Sequence, residues 1–134
     1  MGQLAGYFMS VAITYRAQVT NEGTSLQEFV LNEAFIEGSW VSRSPPKVGY
    51  VIGHRVLQTA GSATEVTEFN MREGTGGTKR LAYNNSVTPE PLPFLKAAIG
   101  RGVKYEVDIP SDLKFELSCD DATVSDVEIE IEAG

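Results

Sequence analysis

Most of the chain alternates apolar and polar residues with a period of two. Val103, Tyr105, Val107 and Ile109 alternate with Lys104, Glu106 and Asp108, the pattern of a strand with one buried face. Pro110-Ser111-Asp112 supplies a turn, because Pro fixes φ and lacks a donor while Ser and Asp bond their own backbone. Leu113, Phe115, Leu117 and Cys119 then alternate with Lys114, Glu116 and Ser118. Polar residues from Asp120 to Thr123 interrupt the pattern, which resumes as Val127, Ile129 and Ile131 against Glu128, Glu130 and Glu132. These runs predict a meander of three consecutive strands. The last is expected outermost, its glutamate face solvated and its charges opposing unwanted edge pairing.

The same period appears in Val11, Ile13, Tyr15, Ala17 and Val19, closed by Asn21-Glu22-Gly23. Val48 to Leu57 reads as a strand with bends or bulges at Gly49 and Gly53. Glu65 to Met71 and Arg80 to Tyr83 read as further strands, with Gly74 to Gly77 as the loop between them. Two segments stay open. Ser25-Leu26-Gln27-Glu28 matches a helix capping box, yet Gln27, Phe29 and Leu31 fit an extended segment equally well. Pro93 to Gly100 suits a helical turn or two, after a stiff stretch carrying Pro89, Pro91 and Pro93. Short strands separated by Gly, Pro, Asn and Asp clusters predict an all-β, mostly antiparallel fold: a jelly-roll-like β-sandwich or barrel with at most one or two short helices.

Length and charge narrow this picture. At 134 residues the chain is sized for one domain with its own core; residues 1–10 read as an N-terminal arm or extension and 11–134 as a single β-sandwich domain. A net charge of −7 gives no footing for a grip on phosphate backbones, so nucleic acid is not an expected partner. The opening residues lack a basic start and are too short to span a bilayer, so no membrane association is expected. Cys119 is the one cysteine, which rules out an intrachain disulfide and points to synthesis in a reducing compartment.

Candidate chemistry is sparse. His54 is the sole histidine and would have to be the base of any Ser-His-Asp or Cys-His mechanism. No G-x-S-x-G elbow occurs, and Cys119 sits on a predicted core face, so both are read as packing residues. One His and one Cys cannot make a zinc site. Asp120, Asp121 and Asp126 lack the spacing of a calcium loop and read as a solvated turn. Gly74 to Lys79 does not have the order of a phosphate loop. Asn84-Asn85-Ser86 is a glycosylation triplet read as chance. The expectation is therefore a protein that is not an enzyme, with no catalytic residues, metal or cofactor.

One stretch stands out as a partner-contact loop. Trp40 to Tyr50 carries Arg43 and Lys47 with the adjacent Pro45 and Pro46 in an otherwise acidic chain, and a pre-stiffened Pro-Pro lowers the ordering entropy of binding. Trp40, Arg43, Pro45, Pro46, Lys47 and Tyr50 are its candidate contacts. Trp40, Tyr50 and Tyr83 could alternatively form an aromatic platform for sugar rings, as in a lectin-like β-sandwich.

The chain also resembles, in the run of its features, the small β-sandwich decoration or cement proteins of tailed bacteriophage capsids. The resemblance lies in the N-terminal M-S-V-A-I-T-Y-R, the central P-E-P-L-P-F-L, and the closing V-K-Y-E-V-D-I-P-S-D-L-K-F-E-L with V-E-I-E-I-E-A-G. It implies a structural virion protein, made in the host cytoplasm and resident on the capsid surface. Such a protein would bind the major capsid protein or another virion protein and strengthen the shell, as a homo-oligomer, with a trimer favoured.

Overall fold

The computed structural model describes residues 12–84, 90–92, 94–97 and 102–134, and for 81–84, 90–91 and 94–97 the backbone alone. The N-terminal arm expected over residues 1–10 and the triplet's Asn85 and Ser86 lie outside them. The strands in chain order are β1 (Ala12–Asn21), β2 (Gln27–Phe29), β3 (Glu33–Ile36), β4 (Ser39–Ser42), β5 (Val48–Gly61), β6 (Glu65–Glu73), β7 (Thr78–Asn84), β8 (Glu90–Pro91), β9 (Phe94–Ala97), β10 (Val103–Glu106), β11 (Leu113–Cys119) and β12 (Thr123–Ala133). One sheet runs β10-β5-β12-β1-β3-β4, with β9 also on β5; the other runs β2-β11-β6-β7, with β8 also on β6. Every pairing is antiparallel.

This arrangement is one long hairpin rolled up. Its tip is the Gly74–Gly77 turn, and moving away from the tip β6 pairs β7, β5 pairs β10, β2 pairs β11 and β1 pairs β12. Successive rungs fall alternately in the two sheets, which is the jelly roll. The two sheets face each other and do not close into a barrel. The β3–β4 hairpin is an addition, inserted between β2 and β5 and laid outside β1.

Burial explains why the period of two is so regular. Tyr15, Ala17, Val19, Val51, Val56, Val127, Ile129 and Ile131 point inward from one sheet, against Val66, Phe69, Met71, Leu113, Phe115, Leu117 and Cys119 from the other. Val51 and His54 are three apart, so alternation alone would put them on opposite faces. The ladder slips between Glu130 and Ile131, leaving Ile52 without a ladder partner on β12, so that Val51 and His54 both turn inward. A second slip between Ser118 and Cys119 does the same for Val66 and Phe69.

The expected meander is overturned. β10 pairs β5, β11 lies in the other sheet, and β12 sits in the middle of its sheet between β1 and β5. Alternation reports which face of a strand is buried, not which strand lies beside it. Pro110–Asp112 forms a turn of 3-10 helix that carries the chain from one sheet to the other instead of folding it back. The glutamates of β12 are tolerated centrally because Glu128 lies between Arg16 and Arg55 in register, with Arg55 Nη2 3.1 Å from its carboxylate.

Neither helix suggested by the sequence forms in the described residues. Gln27–Phe29 is strand β2, paired with Phe115–Leu117, and Phe94–Ala97 is strand β9, paired with Gly53–Val56. In both cases a sheet edge needing a hydrogen-bonding partner outweighs the local helix signal.

The acidic turn has a structural job. Asp120 accepts hydrogen bonds from the Thr64 hydroxyl (2.7 Å), the Thr64 amide (2.8 Å) and the Glu65 amide (3.0 Å), tying the β11–β12 turn to the start of β6. Asp121 accepts from Ser62, while Asp126 lies on β12 opposite Gln18 and Leu57. Among the described residues no group of three or more His, Cys, Asp or Glu is placed to hold a metal ion.

The Thr64 hydroxyl holds the Asp120 carboxyl below its ordinary value; burial opposes it, and the Glu65 and Thr64 amides add to the lowering. A depressed folded pKa stabilises the fold above the unfolded value of about 3.9, and that contribution is lost as pH falls through the folded value. Asp120→Asn is therefore expected to lower the urea midpoint at neutral pH, with the gap to the unaltered protein closing as acid protonates the carboxyl in the folded state. A gap that stayed constant down to pH 2 would show that the carboxylate charge contributes nothing.

Candidate interaction site

The β3–β4 hairpin turns through Glu37 and Gly38, both at positive φ (49° and 87°). Two central residues of that kind are the requirement of a type I′ turn, whose twist matches paired strands. Its register places Phe35 opposite Trp40 and Ala34 opposite Val41. Glu33, Phe35, Trp40 and Ser42 thus share the outer face of the sheet, while Ala34, Ile36 and Val41 share the core side. Ala34 is fully buried, but Phe35 is 46% exposed and Val41 41%.

On the outer face the Phe35 and Trp40 rings meet at 5.2 Å and 60°. The Arg16 guanidinium lies 4.1 Å from the Trp40 ring centre, a cation–π contact. Its Nε also donates to Glu33 at 2.8 Å. Beside this group a shallow concavity of about 240 Å³ is lined by Thr14, Phe35, Trp40, Arg55 and Glu128. The result is an apolar, aromatic rim with its ionic groups already paired.

The residues expected to form one contact loop are split by the fold. Trp40 lies on the hairpin. Arg43, Pro45, Pro46 and Lys47 cross the end of the sandwich between the sheet's edge and β5, and Tyr50 is on β5 opposite Glu132 and Lys104. Pro45 is buried and Pro46 half-buried. The Pro46 carbonyl accepts from the Tyr105 hydroxyl at 2.7 Å, and the Lys47 carbonyl accepts from the Val107 amide at 2.8 Å. The prolines therefore plug the end of the core, and Arg43, Ser44 and Lys47 are the exposed residues of the connection. Burial raises the Tyr105 pKa, with Tyr15 adding to it; burial also raises Tyr15, partly offset by Arg43. Both phenols stay neutral at physiological pH.

Trp40 and Tyr50 face the same side of the sheet, but β3, β1 and β12 lie between their strands, about 19 Å at the usual strand spacing. Tyr83 belongs to β7 in the other sheet. The three do not form one platform.

The chain matches no protein-family model, no curated protein and no solved structure.

The groups with chemical potential are held in the core. His54 is buried and stacked on Phe69, centroids 4.7 Å apart and planes 15° from parallel. Cys119 is buried, and its thiol is pushed up to about 11 by burial, then by the neighbouring Asp120, so it stays protonated and unreactive. Phe35, Val41 and Arg16, which make the hairpin surface with Trp40, were not singled out from the sequence. The available signal was Phe35-Ile36-Glu37-Gly38-Ser39-Trp40-Val41, two short apolar runs around a turn pair.

Proposed function

We propose that the protein is a non-catalytic assembly component of a virion shell, a capsid decoration protein that docks on major capsid protein through the β3–β4 hairpin. The observation that carries this reading is the position of Phe35 and Trp40: an exposed phenylalanine packed on a half-buried tryptophan, on an appendage outside the rolled hairpin. Tryptophan in a well-packed surface cluster is the commonest anchor of protein interfaces. The jelly roll is an architecture that viral capsid proteins and lectins share, and the sequence resemblance points to the first of these. Arg43, exposed at the hairpin's base, and Lys47, exposed where the connection reaches β5, add cations to a surface whose Arg16 and Arg55 are already paired.

The test is co-sedimentation with purified phage shells, empty and filled. Binding at a fixed ratio to capsid protein is expected, and Trp40→Ala should weaken it by about thirtyfold, as for an interface anchor of about 2 kcal/mol. A protein that stays in the supernatant at tens of micromolar sinks the reading.

The lectin-like alternative is favoured by the concavity beside Trp40. Against it, the Arg16 guanidinium occupies a face of the indole that a sugar ring would need, and Tyr50 lies too far away to help. Sugar-dependent line broadening of the Trp40 indole resonance, abolished by Trp40→Ala, would reverse this preference.

A further inference from the structure

The strands that flank the two sheets are guarded, with one exception. Among the described side chains, β10 carries Lys104 and Glu106, β2 carries Glu28, and β7 carries Lys79 and Arg80. Charges of this kind are how natural sheets prevent another strand from adding to an edge. β4 reads Ser39-Trp40-Val41-Ser42 and carries none. It is also the strand with the exposed Val41, and among the described residues it ends the sheet with no strand paired beyond it.

The hairpin register fixes which backbone groups are on offer. In a two-residue type I′ hairpin the pair closing the turn, here Ile36 and Ser39, exchanges hydrogen bonds, and the pairs then alternate. Ala34 and Val41 form the next hydrogen-bonded pair. Trp40, opposite Phe35, and Ser42, opposite Glu33, are the non-bonded positions, so their N–H and C=O groups point away from β3 toward the open edge.

We infer that β4 pairs with β4 of a second copy of this chain, antiparallel about a two-fold axis at Val41, joining the two outer sheets into one continuous sheet. With the axis there, Trp40 of each copy exchanges backbone hydrogen bonds with Ser42 of the other, so both outward-facing residues are satisfied together. Shifting the register by two in either direction opposes one of them to itself and the other to a residue outside the strand. The same axis sets Val41 against Val41 in a non-bonded pair, where side chains approach most closely. It also sets Arg43 opposite Ser39 of the second copy, the residue that closes the turn carrying Glu37. Arg43 and Glu37 are both exposed, and neither makes an ion pair among the described residues, so the two-fold carries each Arg43 toward the acidic turn of the other copy. The product is an isologous dimer in place of the trimer that the sequence resemblance implies. The inference does not depend on a shell partner, since the outer faces of Phe35 and Trp40 stay accessible in the pair.

Val41→Cys tests the axis directly. Opposed Cα atoms in a non-bonded pair lie about 4.5 Å apart, inside the range a disulfide spans. With diamide as oxidant, the V41C protein should give a disulfide dimer on a non-reducing gel about tenfold faster than the exposed control Lys47→Cys, because pairing raises the local thiol concentration; Cys119, being buried, does not compete. Ser42→Pro removes an outward donor without touching the β3 ladder, and Val41→Lys sets like charges across the axis. In sedimentation velocity the unaltered protein should pass from monomer to dimer with rising concentration, while both variants keep native circular dichroism and remain monomeric. V41C cross-linking no faster than K47C, a persistent monomer up to about 1 mM, the weak limit of specific association, a trimer, or variants that still dimerise would each overturn the inference. A dimer that ignores phage shells would leave it standing and sink the shell reading alone.

Discussion

Phe69→Ala is expected to lower stability by about 3–5 kcal/mol, the usual result of removing a buried phenylalanine. Phe69 is fully buried on β6 and sits where the sheets meet. It stacks on His54 from the opposite sheet at 4.7 Å and packs against Phe115 at 6.1 Å, which in turn stacks on Phe29 at 5.8 Å. The truncation therefore leaves a cavity and also strips the apolar cover from an imidazole held in the core. Against a total stability of about 5–15 kcal/mol for a domain of this kind, a drop of this size takes a large share of the fold. The measurement is a urea unfolding curve at neutral pH. A midpoint shift equivalent to less than about 1 kcal/mol would mean that the two sheets are not held together here.

Gly61→Val should have the second-largest effect. Gly61 is where β5 ends and the chain leaves one sheet for the other, with φ at +105°. A β-carbon at that position would lie 2.6 Å from the Ala122 carbonyl oxygen and 2.6 Å from the Thr123 Cα. Both are backbone atoms of the neighbouring turn, pinned by the Ser62 and Ala63 amides donating to the Ala122 carbonyl, so they cannot swing away as a side chain would. The backbone conformation costs about 1–3 kcal/mol for a β-branched residue, and the forced displacement adds a similar amount. Thermal unfolding followed by circular dichroism should show a lowered midpoint, or no folded protein at all. A midpoint within a degree or two of the unaltered protein would place this corner elsewhere.

What the sequence disclosed and what it withheld have the same physical origin. Alternation reflects burial of one strand face, so the inward residues of β1, β11 and β12 could be read directly, Cys119 among them. Pairing partners are set by contacts far apart in sequence. Nothing local to Val127, Ile129 and Ile131 says that Ala12–Asn21 and Val48–Gly61 lie on either side of them. The acidic face suggested an edge, and the balancing Arg16 and Arg55 come from those distant strands. In the partner-contact stretch the burial of two residues was hidden: Pro45 and Pro46 look exposed in sequence because proline usually is, but the end of the core needs a cover and they provide it. Trp40 was noticed for its own chemistry, whereas Phe35 and Val41 acquire theirs only from the hairpin register.

The central place of β12 also bears on how the chain is made. Its two neighbours, β1 and β5, are both synthesised long before it. Until β12 has left the ribosome they are two strands with the space between them empty, each offering unpaired backbone groups and an apolar face. Their sheet cannot close before β12 emerges, and most of its contacts span large stretches of chain, which slows folding. Strand-binding chaperones should find their longest window of opportunity on this protein in that interval, and a ribosome stalled before Thr123 should display a nascent chain that is protease-sensitive throughout β1 and β5.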